Sequence, residues 1–222
     1  MLDLRKNWLR LLVHAGALVP LAILLWDARL DRLTFNPIQE ITFRTGKTAL
    51  VLLVLSLVCT PLNLLLGLKQ VLPLRRPLGL YAFFYVCLHL LTFVYLDYGF
   101  DLGLIGEAIA EKRYVLVGFS AFLLLLPMAI TSTKGWQRRL GKRCKSLHKL
   151  VYLAAPLAVL HFLWLVKADI REPLAYGAVV TTILILRTPA IRRSLTRFRQ
   201  GRRQPAVSPP TTTRVPHRDP QS

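Results

Sequence analysis

Six apolar blocks separated by short polar segments constrain the fold of this chain more than any other feature of its sequence. A membrane-spanning helix needs about 20 predominantly apolar residues, with about 17 as a practical minimum. Most of the blocks reach that length, and the last must extend into its flanks to do so. The sequence therefore predicts an all-α fold, a six-helix transmembrane bundle, with five spans as the alternative. The blocks are 9–25, 49–68, 78–96, 114–130, 150–166 and 174–186.

Proline residues inside these blocks predict kinked helices, because neighbouring helices in a membrane can satisfy the backbone groups that a proline frees. They are Pro20, Pro61, Pro127 and Pro156. The first block follows several basic residues, so a cleaved signal peptide is the alternative to a retained first helix. We favour a retained helix because no small-residue cleavage site follows the block.

The distribution of charge predicts the orientation. The chain has 222 residues, 54% of them hydrophobic, and a formal net charge of +19. With six spans both termini lie on one side of the membrane, and that side collects almost all of the excess Lys and Arg. Because cytoplasmic loops carry that excess, we expect both termini in the cytoplasm. Topology and contact with anionic lipid headgroups then account for the charge without nucleic acid.

The same composition indicates two regions. Residues 1–190 form the predicted transmembrane domain, and residues 191–222 form a basic cytoplasmic tail. The end of the tail is rich in Pro, Ser, Thr and Arg, a composition that cannot bury a core and is typical of disorder. Three cysteines in 222 residues exclude a secreted disulfide scaffold.

Histidines occur in the apolar blocks, whose middles nearly lack Asp, Glu, Lys and Arg, and ionisable residues inside spans are functional candidates by default. His89 and His161 precede Asp97 and Asp169 by the same number of residues, about 12 Å along a helix. The two imidazoles are therefore expected at one level on helices that run in parallel. Two facing imidazoles in an apolar bundle are the axial ligands of a b-type haem. Hydrogen bonding between helices is the alternative role for each.

His148 lies about 20 Å below His161 along the same helix, at the predicted cytoplasmic edge, and indicates a second redox level. The position at the same depth on the third predicted helix, 13 residues before His89, is Arg76, which is not a haem ligand. His14 is a spare candidate for this level. Arg75 or Arg76 could instead hold a haem propionate or a flavin phosphate.

Other motifs do not support other chemistry. The sequence Gly46-Lys47-Thr48 lacks the upstream glycine of a phosphate-binding P-loop, where Ile41 stands, and we interpret it as the start of the second helix. No closely spaced cysteine pair and no Gly-rich dinucleotide fingerprint occur. Any nicotinamide or flavin-adenine chemistry must therefore come from another protein.

Three segments carry a family resemblance: FRTGKTAL at 43–50, LRRPLGLYAFFYVCLHLLTFVY at 74–95, and TSTKGWQRRLGKRCKSLHKLVYLAAPLAVLHFLWLVK at 131–167. With them the chain resembles, over roughly residues 8–200, the haem-binding membrane subunits of bacterial protein-methionine-sulfoxide reductase systems. This is the MsrQ family, also called YedZ, within the wider ferric-reductase-like transmembrane group.

The resemblance implies a six-helix cytochrome b of the bacterial inner membrane, a non-catalytic electron-transfer subunit of an oxidoreductase system. Its electrons would come from the quinone pool or a cytoplasmic flavin reductase. They would pass to a periplasmic molybdopterin reductase, MsrP, that repairs methionine sulfoxide in oxidised proteins. The family's haem ligands fall on His89, His148 and His161, which implies one or two haems b, and FMN is also associated with the family.

Two further expectations complete this interpretation. The short amphipathic segment Asp101–Arg113 is a candidate docking surface for the partner, with a solvated interfacial helix as the alternative. The alternative functions are a stand-alone ferric or oxygen reductase, which usually carries a fused flavin and nicotinamide domain, and a haem-free membrane scaffold or transporter.

Overall fold

The computed structural model describes residues 4–166 and 169–188 and the single positions 191 and 193. Within this part of the chain all regular structure is helical. Single 3-10 segments, Lys69–Leu74 and His148–Leu150, precede α3 and α8, and a π-helical segment, Thr92–Asp97, continues α3. The helices are α1 (Leu4–Arg29), α2 (Pro37–Leu66), α3 (Arg75–Leu91), α4 (Leu102–Glu111), α5 (Arg113–Ile130), α6 (Lys134–Leu140), α7 (Lys142–Leu147), α8 (Val151–Leu165) and α9 (Arg171–Leu186).

α2 is the centre of the bundle. It packs mainly on α3 and also touches α1, α8 and α9, while α5 packs mainly on α8. Its apolar side chains supply much of the core, as those of Leu50, Leu53 and Leu57 show. α1 lies on the outside, and large apolar side chains along it remain exposed, as expected of a helix whose outer face contacts lipid.

Five helical segments are long and apolar enough to cross a membrane: Trp8–Arg29, Pro37–Leu66, Lys69–Asp97, Arg113–Ile130 and Lys142–Leu165. All six predicted blocks fall on helices, but α9 has only 16 residues, below the practical minimum of about 17. Six spans with both termini in the cytoplasm therefore stay a prediction. The predicted tail lies, apart from positions 191 and 193, outside the described residues.

The second helix begins earlier than the sequence predicted. The second block starts at residue 49, whereas α2 begins at Pro37, where the Asn36 side chain accepts a hydrogen bond from the Gln39 backbone N–H. The interpretation of Gly46-Lys47-Thr48 as the start of this helix was wrong, because the three residues lie well inside it. The first turns of α2 can contain charged residues because these residues form ion pairs. Arg44 pairs with Asp27 and Glu40, and Lys47 pairs with Glu172.

The four internal prolines lie inside helices, as predicted. Near Pro20, the buried Tyr85 hydroxyl donates to the Ala17 carbonyl at 2.7 Å and accepts from the Leu21 backbone N–H at 3.0 Å. An unbroken helix would join those two backbone groups to each other. Tyr85 thus compensates for the disturbance that Pro20 introduces and fastens α1 to α3.

Pro61 is compensated from a more distant part of the chain. Since proline has no N–H, the carbonyl of Leu57, one turn earlier, loses its usual helical partner. The Arg187 Nη2 donates to this carbonyl at 2.6 Å. Arg187 therefore connects the end of α9 to the middle of α2.

Candidate functional site

His89 on α3 and His161 on α8 face each other inside the bundle. Their ring centres are 6.0 Å apart and the ring planes are nearly perpendicular, at 82°. Both side chains are partly buried. The expectation that these two imidazoles share one level is confirmed, and they lie between two helix pairs, α2 with α3 and α5 with α8.

A backbone carbonyl fixes the protonation of each ring. The Nδ1 of His89 lies 2.9 Å from the Thr42 carbonyl oxygen, and the Nδ1 of His161 lies 2.6 Å from the Tyr114 carbonyl oxygen. A carbonyl can only accept, so each Nδ1 must carry the proton and donate. Each neutral ring then has its Nε2 lone pair left for another partner, the arrangement that orients metal-binding histidines.

A glycine makes room for each ring. A Cβ atom at Gly46 would lie 3.0 Å from the His89 ring, and one at Gly118 would lie 2.6 Å from the His161 ring. Each glycine stands one helical turn after the residue whose carbonyl accepts from the histidine. Because a helical side chain points back towards the preceding turn, only a residue without a side chain leaves that carbonyl open to an imidazole.

The two halves of the site repeat the same arrangement. In each, the histidine follows its carbonyl partner by 47 residues, and a glycine lies in the same place between helix and ring. Sequence reasoning missed both glycines. The signal that could have found them is this equal spacing of Gly46 from His89 and of Gly118 from His161.

The two histidine Nε2 atoms suit a metal whose remaining ligands come from outside the protein. Metal–imidazole bonds are about 2 Å long, so two rings holding one ion through Nε2 would be separated by roughly 6 Å between centres. The observed separation agrees. Among the residues that the structure describes, no group of three His, Cys, Asp or Glu side chains could hold an ion. A haem iron, whose porphyrin supplies its other nitrogens, can be held by two imidazoles, and this pair fits it.

The other predicted site residues lie elsewhere. We use Pro37 and Leu66 to name the two ends of the bundle after the two ends of α2. His148 and Arg75 interact electrostatically with each other at the Leu66 end, and both Arg75 and Arg76 are exposed. His14 on α1 has Tyr81 as its partner, with the Nδ1 of His14 2.9 Å from the hydroxyl oxygen.

The candidate docking segment forms a short exposed helix, α4, at the Pro37 end. Asp101 caps it by accepting from the backbone N–H groups of Gly103 and Leu104, and Leu102 is 82% exposed. Beyond the helix, Lys112 donates to the Tyr98 hydroxyl at 2.9 Å, and this bond raises the pKa of Lys112. The next helix then begins, and its Tyr114 carbonyl holds His161.

Comparison with known proteins gives consistent matches. Residues 45–159 match the family described as ferric reductase like transmembrane component. A Xanthomonas axonopodis pv. citri protein named "Protein-methionine-sulfoxide reductase heme-binding subunit MsrQ" is 48% identical over 179 residues, covering 78% of this chain and 82% of that protein. A Rhodospirillum rubrum protein of the same name is 46% identical over 188 residues, covering 83% and 89%.

No solved structure matches the chain significantly. The match to a transmembrane family and the five long apolar helical segments together identify a multi-pass membrane protein.

Proposed function

The chain belongs to the MsrQ family of haem-binding subunits of protein-methionine-sulfoxide reductases, and we propose that it is a cytochrome b that carries electrons across the bacterial inner membrane. The observation that carries this proposal is the facing pair His89 and His161, each with Nδ1 committed to a backbone carbonyl and Nε2 left over. The acceptor is a periplasmic molybdopterin reductase of the MsrP type.

Each part of the site has a role in holding the cofactor. His89 and His161 would hold the haem iron through Nε2, while the carbonyls of Thr42 and Tyr114 orient the rings and Gly46 and Gly118 let the rings approach the helices. When bound there, haem supplies one-electron transfer by cycling between ferric and ferrous iron. The surrounding apolar side chains of α2, α3, α5 and α8 exclude water, which contributes to setting the reduction potential.

Electrons enter, in this proposal, at the Leu66 end, which we place in the cytoplasm with both termini. Arg75, Arg76 and His148 lie at that end, and a second haem b or an FMN is the cofactor that they would receive. The donor is the quinone pool or a cytoplasmic flavin reductase. Electrons leave at the Pro37 end, where α4 lies close in sequence to the residue that holds His161.

Substituting the paired histidines tests the central proposal. We expect His89→Ala and His161→Ala each to abolish the b-type α-band of the paired-histidine site, because one axial nitrogen and its iron bond are lost. His148→Ala should leave this band in place. The measurement is a dithionite-reduced minus oxidised visible spectrum of membranes that contain equal amounts of inserted protein.

His14→Ala is the matched control, since His14 is also a membrane histidine but has Tyr81 as its partner. A wild-type protein that inserts correctly and shows no haem band would contradict the cytochrome proposal and favour a haem-free scaffold or transporter.

Substitutions on α4 test the docking role. Leu102→Ser combined with Leu104→Ser should slow the reoxidation of reduced haem by the partner reductase about tenfold or more, because both leucines are exposed and burying exposed apolar side chains against a partner supplies binding energy. The haem spectrum should not change. Stopped-flow reoxidation with purified partner reductase and methionine sulfoxide measures the effect.

Trp136→Ser on α6 is the control, because Trp136 is also exposed but lies at the Leu66 end. Equal reoxidation rates for the doubly substituted protein and wild type would remove α4 from the docking surface.

A further inference from the structure

Three buried side-chain polar atoms in the described part of the chain have no hydrogen-bond partner: Thr60 Oγ1, His148 Nε2 and Arg187 Nε. All three lie at the Leu66 end of the bundle. Thr60 is near the end of α2, His148 immediately precedes α8, and Arg187 immediately follows α9. Buried polar groups without partners are rare and costly, so three of them at one end indicate a missing ligand.

Arg187 is only partly used by its contacts with the protein. Its Nη2 donates to the Leu57 carbonyl at 2.6 Å, its Nη1 donates to the Tyr152 hydroxyl at 3.3 Å, and the guanidinium lies over the Tyr152 ring. These contacts hold the group in place and leave the buried Nε–H without an acceptor. The guanidinium is therefore fixed in position, with its Nε–H available to donate to a ligand.

The charge around this position is positive. Arg75 interacts electrostatically with both His148 and Arg187. Every acidic residue in the described part of the chain lies at the Pro37 end, including all those in ion pairs, such as Glu40 and Glu172. The two arginines therefore have no carboxylate near them among the described residues, and an anion is the partner that such a site favours.

We propose that Arg187 and Arg75 bind the carboxylate or phosphate oxygens of a second electron-carrying cofactor, which lies against His148 Nε2 and the Thr60 hydroxyl. This inference rests on the proposed function. A haem propionate and a flavin phosphate both present anionic oxygens to the arginines. The haem or flavin that carries the group is large enough to reach His148 as well. Arg187, immediately after α9, joins Arg75 in the role that the sequence assigned to Arg75 or Arg76.

Native mass spectrometry of the full-length chain, purified in detergent, tests the proposal with haem and FMN as the added probes. Wild type should carry a second haem or one FMN in addition to the haem of the paired-histidine site. Arg187→Gln and Arg75→Gln should each weaken the binding of this second cofactor about tenfold or more, as expected when a hydrogen bond to a charged group is lost. Lys149→Gln, which removes a charge from the exposed neighbour of His148, should retain it.

Because Arg187 also stabilises α2, its substitution is repeated in a variant in which α2 does not need it. A loss of cofactor binding can then be told from a loss of folding. In Pro61→Ala the new backbone N–H can pair with the Leu57 carbonyl, and Arg187 is no longer needed there. The double variant Arg187→Gln with Pro61→Ala should still lose the second cofactor. Its paired-histidine haem spectrum and its melting temperature should equal those of Pro61→Ala alone. Recovery of the second cofactor in this double variant would overturn the proposal.

The spectrum and the bound mass together distinguish a failure of the second cofactor site from a failure of the proposed function. Wild type that shows the paired-histidine haem but carries only phospholipid, or nothing, at the second position overturns this inference and leaves the proposed function intact. Wild type without any haem overturns the proposed function itself, and this inference with it.

Discussion

Gly118→Ala should remove at least nine-tenths of the absorbance of the paired-histidine haem from otherwise intact protein. The new Cβ would lie 2.6 Å from Nδ1 of His161, closer than non-bonded atoms approach, so the imidazole would have to leave the Tyr114 carbonyl. Moving an axial ligand by even a fraction of its bond length removes the coordination geometry. Gly46→Ala should have a smaller effect, since its Cβ would meet the His89 ring at 3.0 Å. Reduced minus oxidised spectra of membranes measure both.

Gly16→Ala in α1 is the control for this comparison, because a Cβ there would meet nothing within 4 Å. It introduces the same helix-favouring change in a membrane helix and should leave the spectrum unchanged. A full haem band with unaltered position in Gly118→Ala would show that the cofactor does not depend on this approach of ring to helix.

Tyr85→Phe should lower the free energy of unfolding by about 1–2 kcal/mol, a large effect for a single hydroxyl, because the substitution leaves two buried backbone groups of α1 without their partner. Tyr85 is 1% exposed, and its hydroxyl bonds both the Ala17 carbonyl and the Leu21 N–H. Urea unfolding in detergent micelles, or the melting temperature there, measures the change.

Tyr95→Phe removes a hydroxyl from a side chain that is 56% exposed and should change stability little. Pro20→Ala in the Tyr85→Phe background should restore part of the loss, since α1 can then close its own hydrogen bonds. Equal stabilities for Tyr85→Phe and wild type would show that α1 does not need this support.

The helices and the histidine pair could be predicted from the sequence because each depends on local or periodic information. Apolar length located the helices, and equal distances of His89 and His161 from acidic residues placed the two rings at one depth, which the 6.0 Å separation confirms. Their role as iron ligands, and those of His148, Arg75 and Arg76, remain predictions.

What the sequence did not reveal depends on contacts between distant residues. The beginning of α2 was missed because Glu40 and Arg44 are typical of a solvated loop until their pairing with each other and with Asp27 is known. Arg187 was not identified from the sequence as a structural residue, since its partner is a carbonyl that Pro61 leaves free far away in the chain. No periodic pattern carries either relation.

The carbonyl bonds of the paired histidines have a consequence for how this family can diverge. Thr42 contributes only main-chain oxygen to its ring, which any amino acid except a helix-breaking one can supply, whereas Tyr114 also places its aromatic ring 6.2 Å from that of His161. Substitutions at Thr42 should therefore accumulate freely among relatives, whereas substitutions at the glycines one turn later should be rare, above all at Gly118. The residue whose carbonyl holds His89 is thus not subject to selection on its own side chain, and in an alignment the two ring–carbonyl contacts would be marked by the positions of Gly46 and Gly118, which lack a side chain.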